Sequence, residues 1–277
     1  MEIEMLNNLF QIILDLIRTP SPSKKEEVLA KHIVINYSGD DWLAKKDRVH
    51  NIYFRRNNDD ESRKLPLLVA HIDTHPNGDS PENNNLLEED DIITLINGQI
   101  CKSHKIQMGF DDKAGVAAIL YLMKYTNLQF RALLVTQEES TNQPNYGRRG
   151  GGGIDYALKG KFRGIFKNVS YVFSLDRKEG RDIIDKYGKG SHDQQRIRLC
   201  SEEFREWIKE CSIQIGYPME VSEKGRIGDV YNIRSNHRDL NCVNLSIGYR
   251  NEHTNEESLC IDETIGVIKV VQKCLSN

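Results

Sequence analysis

The chain has no CxxC pair among its six cysteines (Cys101, Cys200, Cys211, Cys242, Cys260 and Cys274). Neither a thiolate zinc site nor a disulfide framework is therefore spelled out, and scattered thiols suit a reducing compartment. No apolar run approaches the roughly 20 residues that cross a bilayer. The acidic start, Met1-Glu2-Ile3-Glu4, lacks the basic head of a secretory signal. Together these absences predict a cytoplasmic protein. An excess of one charge is missing as well: 38 Lys+Arg against 41 Asp+Glu leave a net charge of -3, which gives no case for nucleic acid or a membrane surface as partner. There is no internal repeat and no linker. The Gly150–Gly153 run lacks a following Lys-Ser/Thr pair and does not follow a strand directly, which excludes a phosphate loop. What is present, 38% apolar and 29% charged residues over 277 positions, suits a soluble globular protein, read here as one domain over 1–277.

Apolar spacing sets out the elements. Leu6, Phe10, Ile13, Leu14 and Ile17 recur at helical steps, and Thr19-Pro20 ends that helix. Ser23 with Glu26 three residues on reads as a capping box for a second helix through Val28 and Ile33. Val49 to Phe54 reads as a strand. Leu65 to Ala70 is a continuous apolar run of the kind buried on both faces of a sheet, and it ends in His71. Residues 76–91 form a polar loop, and Asn97-Gly98 is a hairpin signal between two short runs. A helix follows Gly109 to about Tyr125. Ala132 to Val135 leads into Gln137-Glu138-Glu139, Val169 to Leu175 into Asp176, and Val243 to Ile247 into Gly248 and His253. Short or amphipathic helices are expected at 154–158, around Phe204, Trp207 and Cys211, and at Ile265, Ile268 and Val271. Strands alternating with helices predict an α/β fold, a mostly parallel mixed sheet sandwiched between helices.

Open α/β sheets bind ligands beyond the carboxyl ends of their strands. His71, Glu138, Glu139, Asp176 and His253 all fall at or just after such ends, and Asp111 opens the helix nearby. Each has an ordinary explanation alone. The adjacent pair Asp111-Asp112 suits a helix start by capping and dipole, and Glu138-Glu139 suits a solvated turn. Five coincident placements in one chain do not share such an explanation. Histidine and carboxylate without thiolate suit zinc, with manganese or cobalt as alternatives. Asp111 can join the set, since one carboxylate can bridge two ions. Asp73, two residues beyond His71, returns to the same face and can orient its imidazole. His75 is placed at the mouth of the site. His32, His50, His104, His192 and His237 have no supporting pattern.

At these residues the chain resembles a known family. Ala70-His71-Ile72-Asp73-Thr74, Gly109 to Gly115, Glu138-Glu139, Asp176 and Gly248 to Glu256 occur in the order found in the co-catalytic dizinc exopeptidases. Leucyl aminopeptidases, peptidase T-like tripeptidases, glutamate carboxypeptidases and N-acyl amino acid deacylases make up that clan. Arg18 to Ser23 also looks like its N-terminal helix junction. The resemblance implies two zinc ions, one held by His71 and Asp176, the other by His253 and Glu139, with Asp111 bridging. It implies Glu138 as general base, Asp73 supporting His71, and a cis peptide bond at Asp111-Asp112. Asp176 to His253 spans 77 positions (253 − 176) and His71 to Asp111 spans 40 (111 − 71), too short for the dimerisation or inserted domains of the larger branches. The chain therefore resembles the compact, single-domain aminopeptidase branch, without a dimerisation or lid domain.

The expected reaction is metal-dependent hydrolysis of short peptides from one end. The alternatives are a deacylase acting on N-acyl amino acids with the same two metals, and a silent binding protein on this fold. Asp229 and Tyr249 are expected to line the substrate pocket, and the loop at 140–153 is a candidate cover for it.

Overall fold

The computed structural model describes residues 2–39, 41–75, 94–96, 100–102, 108–142, 152–187, 197–223 and 228–277. The expected loop at 76–91, most of the expected cover at 140–153, and His104 and His192 lie outside these. Two helices, α1 (Glu2–Ile17) and α2 (Glu27–Tyr37), precede the hairpin β1 (Trp42–Lys46) and β2 (Ile52–Arg56) and the buried strand β3 (Leu65–His71). Then come β4 (Thr94–Ile96), β5 (Ile100–Lys102), α3 (Phe110–Tyr125), β6 (Arg131–Val135), α4 (Gly152–Lys159) and β7 (Val169–Arg177). Short strands β8 (Asp182–Ile184), β9 (Lys186–Tyr187) and β10 (Ile197–Arg198) lead to α5 (Glu202–Gln214), β11 (Glu220–Val221) and α6 (Asp229–Asn236). The chain closes through β12 (Asn241–Ser246), β13 (Tyr249–Arg250), β14 (Ser258–Cys260) and α7 (Ile261–Leu275).

The main sheet has eight strands in the order β1-β2-β6-β3-β7-β12-β8-β11. Its centre, β6-β3-β7-β12, is parallel throughout, with antiparallel pairs at β1-β2, β2-β6 and β12-β8. This is the mostly parallel mixed sheet expected. The continuous apolar runs split by parity. Leu68, Ala70, Leu134, Phe173 and Val243 face α1, α3 and α7, whereas Leu67, Val69, Leu133, Val172 and Cys242 face α4 and α6. Each central strand is thus buried on both sides, which explains why its sequence does not alternate. A second sheet, β13-β14-β5-β4, contains the expected hairpin: β4 pairs antiparallel with β5 up to Ile96 and Ile100, while the Asn97-Gly98 turn lies outside the described residues. Cys200, Cys211, Cys242, Cys260 and Cys274 are free thiols. Among the described residues no helix is long and apolar enough to cross a membrane.

Two local expectations fail for identifiable reasons. The strand expected from Val49 is β2 and begins at Ile52, because the Asp47 carboxylate accepts from the N–H groups of Val49 and Asn51 and makes a turn there. The capping box at Ser23 and Glu26 does not form: α2 begins at Glu27 with no side-chain cap. Both side chains have partners far along the chain instead, at the strand ends described next.

Candidate metal centre

His71 closes β3 and is 1% exposed. Its Nδ1 lies 2.9 Å from the main-chain oxygen of Asp73, with the Asp73 carboxylate at 3.5 Å. A carbonyl only accepts, so Nδ1 carries the proton and Nε2 keeps its lone pair when the ring is neutral. That Nε2 faces Asp111 Oδ1 at 3.2 Å and Asp176 Oδ1 at 3.7 Å. Asp176 lies near the end of β7, where Asn244 of β12 grips its backbone on both sides, accepting from its N–H and donating to its carbonyl. The Tyr249 hydroxyl donates to Asp176 Oδ1 at 3.2 Å.

Asp111 is presented by an irregular start to α3. Gly109 sits at φ 70, and a Cβ there would fall 2.2 Å from the Thr74 methyl, so glycine is required on both counts. Glu257 accepts from the N–H groups of Gly109 and Asp111 at 2.7 and 3.0 Å. The Asp111-Asp112 peptide bond is cis. The two carboxylates then divide their work. Asp112 accepts from Gly115 N–H, as a capping residue does, and from His71 N–H. Asp111 turns outward: Oδ1 meets His71 Nε2 and Oδ2 meets His253 Nε2, each at 3.2 Å.

The turn after β6 supplies the other acids. Gln137 is left-handed at φ 61, which points three successive N–H groups inward. Gln137 N–H donates to Glu26 Oε1, and Glu138 and Glu139 N–H donate to the two oxygens of Asp73, all at 3.0 Å. Ser23 Oγ donates to Asp73 Oδ2 at 2.8 Å. Asp73 thus uses its main chain on His71 and its carboxylate on the glutamate turn, a wider part than orienting one imidazole. Glu139 Oε1 lies 2.6 Å from His253 Nε2, and His75 stacks on the His253 ring at 4.3 Å between centroids.

This is a crowd of buried acids. Burial lifts Glu138, Asp176 and Asp112 well above the usual carboxylate range; His71 opposes it, and neighbouring carboxylates add to it. Burial also opposes ionising Asp111, but the His253 and His71 rings outweigh it and hold it below its ordinary value. Burial likewise disfavours a charged His253, yet Asp111 and Glu139 carry it up to about 10. Among the described residues no Lys or Arg forms an ion pair with Asp111, Asp112, Glu138, Glu139 or Asp176, and the buried Lys113 donates to Thr19 O instead. Carboxylates with no Lys or Arg partner, converging on two imidazole Nε2 atoms, are a donor set that fits divalent cations, which would take the place of the protons those rings otherwise bind. Ligand-type atoms lie within 4.8 Å of one another in three groups: His71, Asp112 and Asp176; His71, Glu138 and Glu139; His75, Glu139 and His253. Asp112 enters one group by proximity, but its oxygens serve two backbone N–H groups, whereas those of Asp111 serve none.

The five residues singled out at the strand ends, His71, Glu138, Glu139, Asp176 and His253, converge here with Asp73 and with Asp111 of α3. The residues that hold them, Ser23, Glu26, Asn244 and Glu257, carry weaker sequence signals. Asn244 is a polar residue inside an apolar strand, and Glu257 adjoins the last motif. Asp229, at the start of α6, is buried and lifted by that burial to about 7, and its Oδ1 has no hydrogen-bond partner. His32 pairs with Asp15 and His237 stacks on Phe166, both away from this site.

No protein-family model matches the chain. The cytosol non-specific dipeptidase of Escherichia coli K12 is 29% identical over 150 residues, 51% of this chain but only 30% of the dipeptidase. The chain therefore spans less than a third of that curated relative. Among solved structures, the aminopeptidase PepT of Bacillus cereus superposes with a TM-score of 0.71 at 13% identity, covering 98% of both chains. A tripeptidase of Staphylococcus aureus gives 0.69 at 14% identity over 98% of this chain and 97% of its own. An aminopeptidase of Desulfurococcus kamchatkensis gives 0.71 at 12%, covering 98% and 95%. The chain has the α/β fold of these peptidases, the fold that its motifs resemble.

Proposed function

We propose that this protein is a metal-dependent exopeptidase that removes residues from the N-terminus of short peptides, acting in the cytoplasm as one catalytic domain over 1–277. The observation that carries the reading is Asp111, whose two carboxylate oxygens each face a different histidine Nε2 at 3.2 Å. In this reading His71 and Asp176 would hold one divalent ion and His253 and Glu139 the other, with Asp111 available to both. Zinc suits that donor set best, with manganese or cobalt as alternatives. Bound ions supply Lewis-acid polarisation of the scissile carbonyl and acidify a water.

The chain's own groups do the rest. Glu138 follows the left-handed Gln137 and precedes a ligand without being one. Its carboxylate takes the proton of the attacking water as the C–O bond forms, then gives it to the departing amine nitrogen as the C–N bond breaks. Burial and the neighbouring Glu139 and Asp229 raise its proton affinity, which suits both halves of that task. Asp73 keeps His71 in the tautomer with Nε2 free and fixes the N–H groups of Glu138 and Glu139. Asn244 and Tyr249 hold Asp176 in place.

The test is metal content of the purified protein beside Asp111→Ala, followed by assay on unblocked tripeptides, aminoacyl amides and N-acetyl amino acids. About two ions per chain, as a two-metal hydrolase needs, lost together in Asp111→Ala, with turnover of the unblocked peptides, is the expected result. Turnover of the N-acetyl amino acids alone would replace the exopeptidase by a deacylase. No ion after incubation with zinc, manganese or cobalt would overturn both.

A further inference from the structure

The junction between α1 and α2 is stitched to the site at more points than packing requires. Pro22 bridges to Thr74, Thr74 N–H donates to Ser21 O, and Ser23 N–H donates to Thr74 O. Beyond that backbone contact, two side chains continue inward. Ser23 Oγ reaches Asp73, and Glu26, 1% exposed, accepts from Lys24 N–H at 2.7 Å and Gln137 N–H at 3.0 Å through one oxygen.

We infer that Glu26 is a positioning residue for the general base: by accepting the N–H of Gln137 it fixes the left-handed turn from which Glu138 projects. The reason lies in the geometry of that turn. A non-glycine residue at positive φ is disfavoured and persists where its surroundings hold it. Three consecutive N–H groups, of Gln137, Glu138 and Glu139, point to one side and need acceptors. Asp73 has two oxygens and takes two of them, while Ser23 ties it from behind. The third N–H, that of the left-handed residue itself, goes to Glu26. Glu26 is 111 residues from that partner, makes no hydrogen bond or ion pair, among the described residues, with those assigned to metal or water, and acts through the turn. Because it serves as an acceptor, its amide analogue can replace it and an apolar side chain of the same length cannot.

This inference rests on Glu138 as the base for its catalytic consequence, but not for its structural one, and the two are read separately. In the full-length protein, Glu26→Met removes the acceptor while filling its volume, and Glu26→Gln keeps an acceptor oxygen. Amide hydrogen exchange, followed on metal-free protein, should quicken by about tenfold at residues 137–139 in Glu26→Met, the scale of one lost hydrogen bond. Exchange in β6 should stay unchanged, and Glu26→Gln should keep the native rates. On protein loaded with zinc, kcat for tri-alanine should fall by about tenfold or more in Glu26→Met with KM nearly unchanged, and Glu26→Gln should recover most of it. Unchanged exchange at 137–139 would overturn the inference. So would equal quickening throughout β6, which marks general loosening, or Met and Gln variants that behave alike. If the unsubstituted protein hydrolyses nothing, the proposed function falls, and the exchange measurement still decides the role of Glu26.

Discussion

Glu138 and Glu139 are neighbours in the chain and opposites in employment. Glu139 is spent on His253 at 2.6 Å, whereas Glu138 is pushed up by burial and by its neighbour and is available to carry a proton. Glu138→Gln keeps the shape and removes the proposed base. Hydrolysis should drop by about 10²–10⁴-fold, the usual worth of a positioned base, while metal content stays at the unsubstituted level. A parallel loss of metal would make Glu138 a ligand instead. Glu26 offers a second test at this scale, through pH. Burial, with Asp73 adding to it, raises Glu26 from 4.5 to about 7. Between those values the native state binds more protons than the unfolded chain, so this group's contribution to stability falls as pH rises through that window. Glu26→Gln removes the effect. In metal-free protein the variant should gain on the parent by on the order of 1–3 kcal/mol between about pH 5 and about pH 8, seen in urea melts at each pH. A gap that does not change with pH would contradict it.

Among the elements, α3 has little room. It enters between β3 and β7, and a Cβ on Gly115 would lie 2.1 Å from Leu175 O and 2.5 Å from Asp112 Oδ1. Gly115→Ala must therefore push the helix off β7 and disturb the carboxylate that holds His71 N–H. We expect a loss on the order of 1–3 kcal/mol, as for other overpacked interiors, read as a fall of several degrees in melting temperature, together with weaker metal binding. An unchanged melting temperature would mean the helix has slack that the contacts deny. The same elements mark what the sequence could disclose. Strands β3, β6, β7 and β12 were legible because burial on both faces leaves an uninterrupted apolar run, and the candidate ligands were picked out by their positions at the ends of those runs. Strands of two or three residues, β8 to β11, carry too few side chains for any period. The edge strand β1 and the helix α6 were missed as well. Ser23 and Glu26 misled for a different reason: a serine and a glutamate three apart look the same whether they cap a helix or reach partners 50 and 111 residues away. Local pattern holds no information about that distance.

Taken as a whole, the molecule gathers buried carboxylates without a Lys or Arg partner among the described residues at one end of the sheet, so its stability should depend on what binds there. A ligand held by the native state alone, at a hundred times its dissociation constant, adds about 2.7 kcal/mol. Chelation with EDTA should accordingly lower the melting temperature, and zinc or manganese should restore it in the parent but not in Asp111→Ala. Equal melting with and without chelator would argue against a resident ion. The fold-level expectation, a mostly parallel sheet between two helical layers, follows from the alternation of elements and is what the molecule has. Glu257 adds a consequence in time. The segment that aims Asp111 is clamped by a residue 146 positions further along. A ribosome delivers His71, Asp111, Glu138, Glu139 and Asp176 long before it delivers His253 and the clamp. The nascent chain therefore carries those five converging residues before Glu257 can hold the Gly109 and Asp111 N–H groups, and the native aim of Asp111 waits for that clamp.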